Sequence, residues 1–503
     1  MKIENLKSVR ADSSAVKILG RTLIDNSVLW LILSASGVEF EVSAKCLYFN
    51  LVGDSTAHPP AEGKSSEMNW ARYEIFVDGK PVHLGSMDEA EKSVCVFEGS
   101  EVRKARVCLL KLTEGTQSFM GIRDIVIDGD GTISPTARKN LLIEFIGDSI
   151  TCGYGVEGKS AEELFTTQTE NALKAYAYMT AENLGADCNL TSFSGFGIVS
   201  GWTDSGDLNP IQLVPDHYKK FAFSWNTKMF ENREWDFSTY RPNLIVINLG
   251  TNDDSYTQDK EERQAQYASE YVKFLKEVRK ENPASYIILS MGIMLGGNRL
   301  FPWIEKAAAE YTKQTGDTRL STLHFVPQTE EEGFGSDYHP SEATQIRCAG
   351  VLTDFIKSLI AEGKISTGIS EDEKKRLVDA AYRMQDFSYS PYSNFRVGAA
   401  LLTREGKIYT GCNIENAAYG PSNCAERTAF FKAVSEGERN FRAIAIVGSP
   451  KGKSDDFCAP CGVCRQVMAE FCSPDFEIIL SKNGGEEIKS HTLAELLPLS
   501  FSL

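Results

Sequence analysis

The feature that most constrains this chain is an alternation between residues 140 and 362. Strand-length apolar runs, LLIEFIG (141–147), NLIVINLG (243–250), SYIILSMG (285–292) and TLHFVP (322–327), are separated by amphipathic stretches. Runs of this kind, without polar alternation, are buried on both faces, which a parallel sheet covered by helices provides. Helical spacing over 161–185, 258–281 and 302–315, with a closing helix over 341–362, predicts a doubly wound α/β domain spanning 136–363. Its ligand crevice lies at the carboxyl ends of those strands.

The flanks obey other rules. Residues 1–135 hold short β segments at Val28 to Leu33, Phe40 to Phe49, Arg72 to Val77, Val94 to Phe97 and Val107 to Leu112, with a turn at Asp78-Gly79. Almost no helical periodicity interrupts them, so a β-sandwich of jelly-roll type is expected. The small, polar stretch AEGKISTGIS marks a linker at 364–369, and Ser370 with Glu373 has capping-box spacing. From 370 to 503 the order reads helix, two strands, helix, strand, helix, two strands, helix. A multidomain chain is what 503 residues require.

A net charge of −16, from 53 Lys and Arg against 69 Asp and Glu, repels phosphate backbones and anionic lipid, so neither nucleic acid nor membrane is expected as a partner. The N-terminus lacks a leader-like apolar stretch, and no segment approaches the ~18 apolar residues of a membrane span. The expectation is a cytoplasmic protein. Scattered cysteines such as Cys46, Cys95, Cys108 and Cys188 then read as small buried hydrophobes.

Six of the 12 cysteines fall in the last hundred residues. Cys424-Ala425-Glu426-Arg427 and Pro460-Cys461-Gly462-Val463-Cys464 offer three thiolates, which bind Zn²⁺ and leave a fourth tetrahedral position open, as catalytic sites do. Cys424, Cys461 and Cys464 are the expected ligands, with Cys458 an alternative to Cys464. Glu426 is free to shuttle protons, in the C-x-E…P-C-x-x-C form of the zinc deaminase signature.

With YSNFRVGAA (392–400), GCNIENAAY (411–419), CAERTA and PCGVCRQ, residues 370–503 resemble the homotetrameric zinc cytidine deaminases. The resemblance implies an α/β deaminase fold, one zinc per domain and a homotetramer acting on cytidine or deoxycytidine in pyrimidine salvage. It implies that Asn413 and Glu415 hold the ribose, that Phe395 flanks the base and that the Ala425 backbone fixes the pyrimidine. Tyr419 and Phe501 are carried over as further substrate contacts, Phe501 as the C-terminal aromatic.

In the middle domain, GDSIT (147–151) follows the first apolar strand, SG (194–195) follows CNLTSF, GTND (250–253) follows LIVINL, and DYHP (337–340) precedes the last helix. These resemble the four blocks of the SGNH (GDSL-type) hydrolases, and with the preceding β region they look like the two-domain carbohydrate esterases. The resemblance implies Ser149 as nucleophile and His339 as base, with Ser149, Gly195 and Asn252 donating to the oxyanion and Gly197 as substitute for Gly195. Many relatives place an Asp three residues before the His, where this chain has Ser336. Asp337 is the candidate orienter, or else a backbone carbonyl. Trp202 and Trp225 are candidates for stacking on a sugar or for the core. His217 is a candidate substrate contact, and His324 reads as a core histidine.

The combined expectation is a bifunctional hydrolase that deaminates cytidine or deoxycytidine and removes O-acyl groups from a carbohydrate or nucleoside. Two alternatives stand beside it. The first 365 residues could form a degenerate binding module, or the deaminase could act on a cytosine-containing antibiotic.

Overall fold

The computed structural model describes residues 5–11, 15–58, 69–237, 239–294, 297–369, 371–403, 406–450, 456–472 and 476–498. The chain divides into two compact units, Met1–Ile365 and Ser366–Leu503. The Ser370 cap and Phe501 lie outside the described residues.

The first unit holds both the β region and the α/β region. A ten-stranded antiparallel sheet runs in the order Thr22–Asp25, Val28–Leu31, Met120–Asp128, Gly37–Gly53, Glu91–Lys111, Arg72–Val77, Lys80–Ser86, with three short strands at its margins. Two long strands let it fold over a shared core of Phe40, Phe49, Ile75, Val107, Leu109 and Ile125. The segments expected separately at Val94 to Phe97 and Val107 to Leu112 are two ends of the single strand Glu91–Lys111. The polar middle between those two segments is exposed strand, and the register with Gly37–Gly53 shifts between Ala44 and Cys46.

The parallel sheet has five strands in the order Asp187–Ser192, Leu142–Gly147, Leu244–Asn248, Tyr286–Met291, Leu320–His324. Helices Glu261–Glu281, Phe301–Thr315 and Glu342–Ala361 form as expected. The stretch 161–185 does not form one helix: only Ala172–Lys174 and Tyr176–Asn183 are helical, and 161–171 wraps toward the catalytic loop. His324 is exposed rather than core, because its strand is the sheet edge, and it stacks on Phe301 at 4.2 Å.

Buried ion pairs bolt the β region to the α/β region. Arg21 donates to Glu144 at 2.6 Å, Lys17 to Asp187 at 2.7 Å, and Arg72 to Glu157 at 3.0 Å and to the carbonyls of Thr167, Gln168 and Glu170. Breaking one such pair by removing a partner costs about 3–5 kcal/mol, because a charge is left buried.

The second unit is a five-stranded sheet in the order Ile408–Cys412, Phe395–Thr403, Phe441–Pro450, Glu477–Lys482, Glu487–Thr492. Only Phe441–Pro450 and Glu477–Lys482 run parallel. Helix Glu371–Met384 covers one face with Leu377, Val378 and Ala381, while Ala425–Ser435 and Gly462–Phe471 cover the other. All 12 cysteines are free thiols, and Cys95 is exposed where a buried side chain was expected.

Candidate active sites

In the first unit, three strand ends deliver the chemistry. Leu142–Gly147 runs into the single helical turn Ser149–Cys152, whose first turn is capped by Asp148 accepting from the Ile150 amide at 3.0 Å. Ser149 is therefore fixed at a helix start, its amide uncommitted, and its Oγ lies 2.8 Å from His339 Nε2. His339 Nδ1 lies 3.1 Å from the carbonyl oxygen of Asp337. That contact, with Nδ1–H donating, leaves Nε2 as the acceptor that a general base requires.

The expected carboxylate orienter is corrected here. The Asp337 side chain points away from His339 and accepts from Tyr154 Oη at 2.8 Å and the Phe165 amide at 3.1 Å. The reason is local: Asp337 and Tyr338 both adopt left-handed backbone, with φ of 50° and 59°, which aims the carbonyl at the imidazole and the carboxylate at the wrapping loop. Tyr154 stacks between His339 (4.1 Å) and Phe165 (3.9 Å). Burial in this sandwich pushes His339 down to about 4, so the imidazole is unprotonated at neutral pH and its Nε2 lone pair is free to accept a proton.

The donor side is built from two loops. Among the described residues, the amides of Ser149 and Gly195 have no protein acceptor, whereas the Gly197 amide donates to the Gln212 carbonyl at 3.0 Å. Gly195 is therefore the available donor of the pair. Gly197 serves by having no side chain, since a Cβ there would meet Asp253 Oδ2 at 2.6 Å. Asn252 donates through Nδ2 to the Phe196 carbonyl at 2.8 Å and to Asp148 at 3.3 Å, which ties it to the same loop.

Asp253, the last residue of the GTND block and not among the expected site residues, is fully buried and accepts from the amides of Ile198, Val199 and Ser200 at 2.6–3.0 Å. Despite those bonds, burial raises it to about 6, and burial raises Asp148 to about 7. The GTND block contains the signal for Asp253, although nothing in sequence shows where its carboxylate goes. Trp202 and Trp225 are exposed, at 58% and 47%; the Trp202 amide donates to the Gly195 carbonyl, and the Trp225 ring packs on Phe223. His217, the candidate substrate contact, is buried among Phe193, Phe196 and Phe223.

In the second unit, two helix starts carry the thiols. Cys424 caps Ala425–Ser435, Cys461 caps Gly462–Phe471, and Cys464 sits in the first turn of the latter. The three sulfurs lie within 4.8 Å of one another, with Cys424–Cys461 at 3.9 Å and Cys461–Cys464 at 3.5 Å. Tetrahedral ligation at a Zn–S distance of ~2.3 Å requires sulfurs ~3.8 Å apart, so the soft donor set fits zinc. Cys458 is not in this group; its thiol is packed beneath Gly448 beside Phe395, and burial pushes it up to about 11.

Both helix dipoles favour thiolates at these positions. Hydrogen bonding from Cys464 and Arg427 holds the Cys424 thiol down at about 5, with Arg427 Nη2 at 3.7 Å. Glu426 is 4% exposed, and burial raises its carboxyl, which suits a group that must hold a proton before giving it up.

The other carried-over residues are disposed unequally. Asn413 Oδ1 accepts from Ser388 Oγ and the Val397 amide, while Nδ2 donates to the Phe395 carbonyl, leaving one amide proton for a ligand. Glu415 Oε2 accepts from the amides of Tyr392 and Ser393, and hydrogen bonding from the Ser393 side chain, then from these amides, holds its carboxyl below the ordinary value. Ala425 is buried at the first helical position. Phe395 is part-exposed at 36%, and Tyr419 stands out at 79% on a left-handed turn of φ 56°.

The two geometries define a serine hydrolase in the first unit and a zinc-type deaminase in the second. The chain belongs to both corresponding families. Residues 145–345 match the GDSL-like Lipase/Acylhydrolase family, and residues 371–479 match the cytidine and deoxycytidylate deaminase zinc-binding region. Over 306 residues, 59% of the chain, it is 34% identical to Cellulase/esterase CelE of Acetivibrio thermocellus, spanning 35% of that protein's length. A family two carbohydrate esterase from Clostridium thermocellum, solved in complex with cellohexaose, is 28% identical with a TM-score of 0.60, over 69% of this chain and 99% of that one. Cytidine deaminase of Sporosarcina psychrophila is 50% identical over 128 residues, 25% of this chain and 90% of that protein.

Proposed function

We propose that this chain is a bifunctional hydrolase. Its second unit deaminates cytidine or deoxycytidine to the uridine form, and its first removes O-acyl groups, acetyl foremost, from a carbohydrate or nucleoside. The observation that carries the esterase is the 2.8 Å contact between Ser149 Oγ and His339 Nε2, with uncommitted amides at Ser149 and Gly195 beside it. Ser149 Oγ adds to the ester carbonyl as its proton passes to Nε2. The alcohol leaves with that proton, and water repeats the cycle on the acyl-enzyme. An intact dyad argues against a degenerate binding module.

For the deaminase, three converging thiols beside a buried carboxyl support the reading. Bound zinc supplies Lewis-acid activation of water at neutral pH. With zinc held by Cys424, Cys461 and Cys464, Glu426 would carry two protons in turn: the first to the pyrimidine ring nitrogen, where it stays in the uracil, and the second, from the added oxygen, to the amino group, which leaves as ammonia. Glu415 and the spare Asn413 proton are suited to a vicinal diol, which favours a nucleoside over a sugarless cytosine. We place the protein in pyrimidine salvage in the cytoplasm, which the free thiols suit, and as a homotetramer. Apolar side chains exposed on the second unit, among them Phe387, Tyr389, Tyr392 and Tyr419, support self-association. No helix among the described residues is long and apolar enough to cross a membrane.

A mass-spectrometric time course on cytidine, 5′-O-acetylcytidine and an acetylated xylo-oligosaccharide tests the reading. Ser149→Ala should lower acetate release by on the order of 10⁴-fold or more and leave cytidine turnover intact, and Glu426→Ala the reverse. Retention of ester hydrolysis in Ser149→Ala would sink the esterase assignment. Uridine formed from acetylcytidine only when both residues are present would make the two activities one sequence.

A further inference from the structure

Behind the oxyanion loop lies a buried polar cluster with no role in the dyad. Glu114 follows the strand Glu91–Lys111, Glu170 ends the wrapping loop, and Cys152 ends the helical turn that carries Ser149. One atom from each lies within 4.8 Å of the others, and all three side chains are buried. Glu114 Oε2 accepts from the Ser194 amide at 2.8 Å, immediately before Gly195, and Glu170 Oε1 accepts from the Glu114 amide at 2.8 Å. The second oxygen of each, Glu114 Oε1 and Glu170 Oε2, is buried and has no partner.

We propose that Glu114 and Glu170 are positioning residues for acyl transfer: sharing one proton, the pair grips the Ser194 amide from behind and keeps the Gly195 N–H aimed at the oxyanion. The inference rests on the esterase reading above.

Charge balance requires the proton. Lys111, fully buried, is the adjacent cation, and its Nζ donates to the carbonyls of Thr113 and Glu114 and to Thr113 Oγ1, not to either carboxylate. One ammonium against two carboxylates leaves one negative charge too many for side chains this deeply buried, and protonation removes it. Burial raises both carboxyls, Glu170 further through repulsion by Glu114, and burial pushes Lys111 down to about 8.

The other facing groups are committed or neutral. Arg72 binds Glu157 and three carbonyls, Asp54 accepts from Thr56 and the Phe119 amide, Asp148 caps its helix, and Tyr154 donates to Asp337. Burial keeps the Cys152 thiol protonated.

The test compares wild type, Glu114→Ala, Glu114→Gln, Glu170→Gln and Ser149→Ala as full-length, zinc-loaded protein. It measures kcat and KM for acetate release from an acetylated xylo-oligosaccharide from about pH 5 to about pH 10, with cytidine turnover as internal control. Glu114→Ala should lower kcat about 10- to 100-fold with KM within about twofold, the scale of a misaimed catalytic group. Glu114→Gln, which keeps an acceptor for Ser194 and mimics the protonated acid, should recover most of that loss. In both Gln variants the alkaline decline should move up by about one pH unit or more, because a second ionisation no longer sets Glu114 against Glu170.

Equal kcat losses in Glu114→Ala and Glu114→Gln, or an unmoved alkaline limb, would overturn the proposal while leaving the esterase intact. So would acetate release that a chelator abolishes in wild type, because a cation would then occupy the proton's place. Activity persisting in Ser149→Ala would instead refute the esterase reading itself.

Discussion

The two sites solve the same problem, activating water or its equivalent against an electrophilic carbon, with opposite kinds of support. In the first unit every catalytic group is held by the chain itself. Ser149 is bonded to His339, His339 is oriented by a carbonyl, and the donor loop is pinned by Asp253. In the second unit, three thiols at two helix starts face one another, an arrangement that mutual repulsion opens unless a cation balances it. Preorganisation by hydrogen bonds should survive without a cofactor, and preorganisation by a metal should not.

Stripping zinc with a thiol-compatible chelator is therefore the largest expected break in the comparison. Deamination should fall to background, and a calorimetric scan should show one unfolding transition moving down while the other stays, since metal binding energy adds directly to the stability of the unit that binds it. Acetate release should change by less than about twofold, because the dyad uses no ion. A common loss of both activities would mean that the first unit also depends on a metal.

Asp253→Asn attacks the first unit's own support. The amide replaces one of the oxygens that take the Ile198, Val199 and Ser200 amides with a donor, so the Gly195 loop shifts. Misplacement of that size costs about 10²-fold in kcat. KM and cytidine turnover should hold, and steady-state kinetics at neutral pH decides the matter. An unchanged kcat would show that the loop is set by the Gly197–Gln212 bond instead.

What the sequence disclosed followed from range. The zinc residues were legible because Cys424-x-Glu426 and Cys461-x-x-Cys464 are local patterns whose chemistry does not depend on distant packing. The choice between Cys458 and Cys464 needed the helix start at Gly462. The parallel strands were legible because burial on both faces writes an uninterrupted apolar run.

The helix expected at 161–185 failed at Leu164 and Phe165. These fit helical spacing, yet Phe165 is drawn to Tyr154 and Leu164 is left exposed. Glu114 and Glu170 were invisible, and Asp253 was visible only as a letter of the GTND block, because each acts on a backbone amide far from it in sequence, and a backbone amide leaves no mark on composition.

The pH profile of the ester reaction sharpens the contrast further. A histidine held at about 4 stays neutral across the ordinary range, and base competence is lost only as pH falls through that value. The acid limb of kcat/KM should therefore lie near about 4 rather than near the ~6.5 of a free imidazole. A limb at the free value would mean that the Tyr154 stack opens in solution.

The smallest effect belongs to the residue that sequence made the obvious third partner. Where a buried Asp holds the base, replacing it by Asn costs about 10⁴-fold, because the imidazole turns to the wrong tautomer. Here the Nδ1 proton goes to the Asp337 carbonyl, which a side-chain change does not remove, so Asp337→Asn keeps the orienting atom. What it loses is charge in the bonds to Tyr154 Oη and the Phe165 amide, both of which an amide oxygen still accepts. A neutral acceptor in place of a charged one costs about 1 kcal/mol, and so less than about tenfold in kcat. Asp337→Gly tests the same point from the backbone: glycine adopts φ near 50° without strain, so the carbonyl can stay on His339 although the Tyr154 anchor is gone. Loss on the 10⁴ scale in the Asn variant, measured as acetate release at neutral pH, would return the carboxylate to the role of orienter and make the two-residue dyad untenable.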